Sequence, residues 1–144
     1  MKHGTWVVVA DGRKVLFLHN QGDDDIMDLR VRDKHAQDNP ANREQGADRP
    51  GRAHDSTSPG RSAMGQTDWH QIAEDRFAAE VAGEINQAAL ANEFKHLVVV
   101  APPKALSELR THLHKEAQQR LIAEIDKDLT NHTVEDMQKI LADI

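Results

Sequence analysis

The stretch Phe94-Lys95-His96-Leu97-Val98-Val99-Val100-Ala101-Pro102-Pro103 decides the fold class. From Leu97 to Ala101 every residue is apolar, which suits a strand covered by helices on both faces and not one half open to water. Pro102-Pro103 ends it. Proline fits the first helical position, so a helix follows, with Leu106, Leu109, Leu113 and Ala117 as its buried stripe. Before the strand, Ile72, Ala73, Phe77, Val81, Ile85 and Ala88 keep helical spacing from Trp69 to about Ala91, with Asp68 or Thr67 as N-cap. After the second helix, Leu121, Ala123 and Ile125 alternate with Ile122, Glu124 and Asp126, the pattern of a strand near a sheet edge. Thr133 with Asp136 resembles a capping box, and Val134, Met137, Ile140, Leu141 and Ile144 mark a last helix.

The N-terminal part reads as strands. Thr5-Trp6-Val7-Val8-Val9-Ala10 and Val15-Leu16-Phe17-Leu18-His19 flank Asp11-Gly12-Arg13-Lys14, a hairpin whose Asp-Gly pair tolerates positive φ. A turn at Asn20 to Asp25 then leads to a third strand, where Met27, Leu29 and Val31 alternate with Asp28, Arg30 and Arg32. The order is βββ, long loop, α, β, α, β, α. That predicts an α/β fold, a mixed five-stranded sheet of ribonuclease H-like order with helices on its faces, formed by residues 1–144 as one domain.

Composition narrows the function classes. The 144-residue chain has no cysteine, which excludes disulfides, thiolate metal sites and cysteine nucleophiles. A formal charge of -6 opposes broad adhesion to nucleic acid or anionic lipid, so any such contact is local. The apolar run Val7 to Ala10 is too short for a signal-peptide core or a membrane span, which predicts a cytoplasmic protein with no membrane partner.

Residues 37–68 hold four of the eight glycines, three of the five prolines and no Val, Ile, Leu, Phe or Trp, so this loop cannot build a core of its own. A loop of that length is either functional or disordered. Its four basic residues, Arg43, Arg49, Arg52 and Arg61, are all arginine, the side chain suited to planar, bidentate contact with carboxylate or phosphate. Five acids in the same segment, Asp38, Glu44, Asp48, Asp55 and Asp68, equally allow solvated ion pairs. Pro50-Gly51-Arg52 and Pro59-Gly60-Arg61 set glycine N–H groups beside guanidinium groups, a local arrangement able to hold phosphate. Neither a cofactor nor a metal site is expected. Asp11 reads as a turn residue, His112 and His114 point to different helix faces, and His54-Asp55-Ser56 are too close in sequence to act as a triad.

Trp6-Val7-Val8-Val9-Ala10-Asp11-Gly12, Asp48-Arg49-Pro50-Gly51-Arg52 with Asp55-Ser56, Gly60-Arg61-Ser62-Ala63-Met64 and Asp75-Arg76-Phe77-Ala78 together resemble the bacterial host-attachment protein family. That family is distantly similar to the middle domain of eukaryotic and archaeal peptide-chain release factors, in which a loop before a long helix carries glycine-glycine-glutamine. Met64-Gly65-Gln66 stands at the corresponding place, with one glycine where those relatives have two. The resemblance implies water positioning by Gln66 at a peptidyl-tRNA ester, tight loop passage at Gly65, and RNA phosphate contacts from Arg49, Arg52 and Arg61. Three functions follow as expectations: a non-enzymatic binding protein whose segment Arg49, Gly51, Arg52, Gly60 and Arg61 contacts an anionic partner such as tRNA or ribosomal RNA; a peptidyl-tRNA esterase; or an adaptor for a protein partner, with an indirect effect on attachment.

Overall fold

The computed structural model describes residues 1–36 and 59–143, and for 59–69 the backbone alone. Its strands are β1 (Trp6–Ala10), β2 (Lys14–Asn20), β3 (Leu29–Ala36), β4 (Leu97–Ala101) and β5 (Leu121–Asp126). The helices are α1 (Pro59–Leu90), α2 (Pro103–His112), α3 (Lys115–Arg120) and α4 (Val134–Ala142). The strands form one sheet in the order β3-β2-β1-β4-β5, antiparallel through β3, β2 and β1 and parallel through β1, β4 and β5. This is the mixed, ribonuclease H-like arrangement that the element order predicts.

β1 and β4 are buried along their whole length, and alternation divides them between two cores. Trp6, Val8, Leu97 and Val99 face Phe77, Val81 and Ile85 of α1 together with Leu106 and Leu109 of α2. Val7, Val9, Val98 and Val100 face Leu129 and then Met137 and Leu141 of α4. The expected cap of α4 is present, with Asp136 N–H donating to Thr133 Oγ1 at 3.1 Å.

Four local expectations are corrected. The hairpin turn needs no positive φ at Gly12: among the described residues that backbone belongs to Gly4 and Asn92. Asp11 builds the turn instead, its Oδ1 accepting from Arg13 and Lys14 N–H, each at 2.7 Å. The approach at Gly12 is close: a Cβ there would stand 3.0 Å from the Glu74 carboxylate, which would have to give way by a few tenths of an ångström.

The third strand starts at Leu29 and runs to Ala36, beyond the expected 26–32. Asp23 and the buried Asn20 take up the backbone N–H groups of Gly22, Asp25, Ile26 and Asp28, so the ladder begins only after them. A β-bulge interrupts it, Leu18 pairing Val31 and Phe17 pairing Asp33, with Arg32 as the extra residue. The expected alternation therefore holds only up to Val31.

Helix α1 begins at Pro59, ten residues before Trp69, so Thr67 and Asp68 lie within it and do not cap it. Hydrophobic spacing could not reveal that stretch, because 59–68 has no large aliphatic or aromatic residue, whereas Pro59 suits a first helical position. The buried stripe starts at Ala73, and Ile72 is exposed. The expected second helix is split into α2 and α3 at Leu113. Asn86, buried on α1, bridges the break: its Nδ2 donates to the His112 carbonyl at 3.1 Å and its Oδ1 accepts from His114 N–H at 2.9 Å. One amide side chain thus satisfies the backbone groups that the break exposes.

Candidate functional site

β3 ends with Ala36 paired to Lys14, beside the Asp11–Lys14 turn. Helix α1 reaches the same turn at Glu74. The 32 residues of α1 make it about 48 Å long, and the fifteen residues 59–73, about 22 Å, precede that contact. The segment rich in arginine therefore departs from this end of the sheet, and its C-terminal part is already helix.

Of the residues singled out in the sequence, Arg49, Gly51 and Arg52 lie outside the described residues, as do Arg43 and His54-Asp55-Ser56. Gly60 and Arg61 fall in the first turn of α1, where backbone N–H groups have no carbonyl partner within the helix. Gly65 and Gln66 fall further along the same helix, Gln66 about 7.5 Å along the axis from Arg61. The backbone at Met64-Gly65-Gln66 is helical, so the tight loop passage expected of Gly65 is corrected: the three residues sit on the long helix and not on a loop before it.

Asp11 is held on both oxygens. Besides the two turn N–H groups, Oδ2 accepts from Thr130 Oγ1 at 2.8 Å. It is a turn residue, as expected. His112 and His114 flank the break between α2 and α3, His112 closing one helix and His114 capping the next.

Two polar clusters on α1 were not legible in the sequence. Close to Glu74, Gln71 Nε2 donates to Asp75 Oδ1 at 3.1 Å and to Glu108 Oε2 of α2 at 2.6 Å. Burial, then the hydrogen bond with Asp75, raises the Glu108 carboxyl above its ordinary range. A raised carboxyl binds its proton more tightly folded than unfolded, so its contribution is complete below the unfolded value of about 4.3 and is lost as pH rises through the folded value. Glu108→Gln should match the parent in urea unfolding at pH 4 and exceed it at pH 7. Equal stability at both pH values would contradict the raised carboxyl.

Further along α1, a cavity of about 270 Å³ opens between the helix and the outer strands, lined by Trp6, Phe17, Arg32, Asp33, Glu84 and Glu93 among others. Its floor is aromatic, with Trp6 and Phe17 ring centres 6.1 Å apart and planes at 67°. The Arg32 guanidinium lies 4.8 Å over the Trp6 ring and 3.4 Å from Glu93 Oε1. Burial, reinforced by Arg32 and Arg30, lowers the pKa of His19 nearby, which keeps that imidazole uncharged at neutral pH. The bulge places Arg32 here, and a bulge leaves no periodic trace in sequence.

A ribonuclease H-like sheet whose third strand leads through an arginine-bearing segment into a 32-residue helix agrees in element order with the release-factor resemblance, while Met64-Gly65-Gln66 lies on the helix and not before it. The chain belongs to the bacterial archaeo-eukaryotic release factor family 12, whose model matches residues 4–141. No curated protein matches the chain. The match supports the release-factor side of the resemblance and not a host-attachment name. Among the described residues, no helix is long and apolar enough to cross a membrane.

Proposed function

We propose that this protein works in translation, in the cytoplasm, by engaging tRNA or ribosomal RNA through Arg49, Arg52 and Arg61 and the first turn of α1. The observation that carries it is the release-factor family match over 4–141, which includes this whole segment. The chemistry agrees: guanidinium groups take phosphate bidentately, and a helix N-terminus presents unpaired N–H groups with a positive dipole end. With a net charge of -6, attraction must come from this segment and not from the whole surface. Gly51 and Gly60 would let phosphate approach the backbone.

A second function rests on Gln66, which shares α1 with Arg61. Its carboxamide can both donate to and accept from a water molecule. If it orients water toward the ester carbon of peptidyl-tRNA, the acyl C–O bond breaks, the peptide leaves as an acid and the ribose oxygen takes the proton. Purified protein with peptidyl-tRNA, free and ribosome-bound, tests this. Hydrolysis lost in Gln66→Ala with tRNA binding retained supports esterase chemistry, whereas binding without hydrolysis in the parent leaves a binding protein. An adaptor with an indirect effect on host attachment is what remains if no RNA is bound.

A further inference from the structure

Asp33 and His35, two apart on β3, meet Glu84 of α1, and their ligand-type atoms all lie within 4.8 Å of one another. His35 Nε2 stands 3.2 Å from Asp33 Oδ2 and 3.4 Å from Glu84 Oε1. A tetrahedral zinc ion with bonds of about 2.0–2.1 Å holds its ligand atoms about 3.3 Å apart. The two shortest edges are therefore already those of a zinc polyhedron. We propose that Asp33, His35 and Glu84 form a zinc-class divalent metal site that ties the end of β3 to helix α1.

The bulge makes the site. Leu29 packs in the core on the α4 side, and without an extra residue Val31, Asp33 and His35 would follow it there. Inserting Arg32 puts Asp33 opposite Phe17 and His35 opposite Val15, both of which face α1, and so turns the two ligands toward Glu84. Bulges characteristically re-aim side chains in this way. The His35 ring is oriented in advance, meeting Phe17 edge-on with centres 6.1 Å apart and planes at 73°.

Charge favours the same ion. Two carboxylates this close repel unless something positive sits between them. A divalent cation neutralises both and accepts the imidazole lone pair. An imidazole with two carboxylates suits zinc and its first-row neighbours better than magnesium or calcium, which take oxygen ligands. All three side chains are exposed, so an ion has an open route in and a fourth position remains for water or an anion.

The test uses the intact protein with Co²⁺ as spectroscopic probe, followed by Zn²⁺ displacement and calorimetry. One equivalent per chain, visible Co²⁺ bands of tetrahedral strength that Zn²⁺ abolishes, and a raised melting temperature with Zn²⁺ are expected. His35→Ala and the same-size Glu84→Gln should each weaken binding by at least about tenfold, while His132→Ala leaves it unchanged. Absent Co²⁺ bands, or bands and stoichiometry that persist in both ligand variants, would overturn the site.

Discussion

Replacing Asn20 with alanine is expected to lower the unfolding free energy by about 3 kcal/mol, or roughly 10 °C in melting temperature. Asn20 is fully buried. Its Nδ2 donates to the Met1 and Lys2 carbonyls at 2.7 and 3.2 Å, and its Oδ1 accepts from Gly22 and Asp28 N–H at 3.0 and 2.9 Å. The side chain thus ties the N-terminal segment to the connection between β2 and β3. Alanine strands three backbone groups, since the Lys2 carbonyl keeps Thr5 N–H at 3.1 Å; each costs about 1–3 kcal/mol if left wholly unsatisfied, and access of water to some of them brings the sum down. Asn20→Asp should also destabilise, because it removes both donors and buries a charge. Urea unfolding of the parent and Asn20→Ala checks this; a loss under about 1 kcal/mol would mean that water replaces the amide at little cost.

The second large effect concerns RNA. Replacing Arg49, Arg52 and Arg61 together with alanine is expected to weaken tRNA binding by more than about tenfold at physiological salt and to flatten its salt dependence. Each phosphate contact contributes about 0.7–0.9 to the slope of log K against log[salt], so three lost contacts reduce the slope by about 2–3. Fluorescence anisotropy across a salt series measures both quantities. An unchanged slope would show that the three arginines do not touch phosphate.

The legible and illegible parts of the chain differ in physical kind. Val7 to Ala10 and Leu97 to Ala101 reveal buried central strands because burial on both faces demands uninterrupted apolar residues. The stripe Ala73, Phe77, Val81, Ile85 is read as easily, since burial drives it. Helix 59–68 is not, because no apolar face marks it. The break at Leu113 depends on Asn86, a residue 27 positions away that nothing local announces. The same holds for Asp33, His35 and Glu84: Asp-Lys-His on a strand is a usable sign of two ligands on one face, but Glu84 joins them only through the bulge and the passage of α1. Arg61 and Gln66 were singled out by residue type and resemblance, and their common helix comes from the structure.

The most direct measurement is recovery of RNA crosslinked to the protein in cells, comparing the parent with the Arg49, Arg52, Arg61 triple alanine variant once circular dichroism shows that both fold alike. Enrichment of tRNA or ribosomal RNA with the parent, lost in the variant, is the predicted result. No enrichment with the parent would contradict a role in translation through this segment.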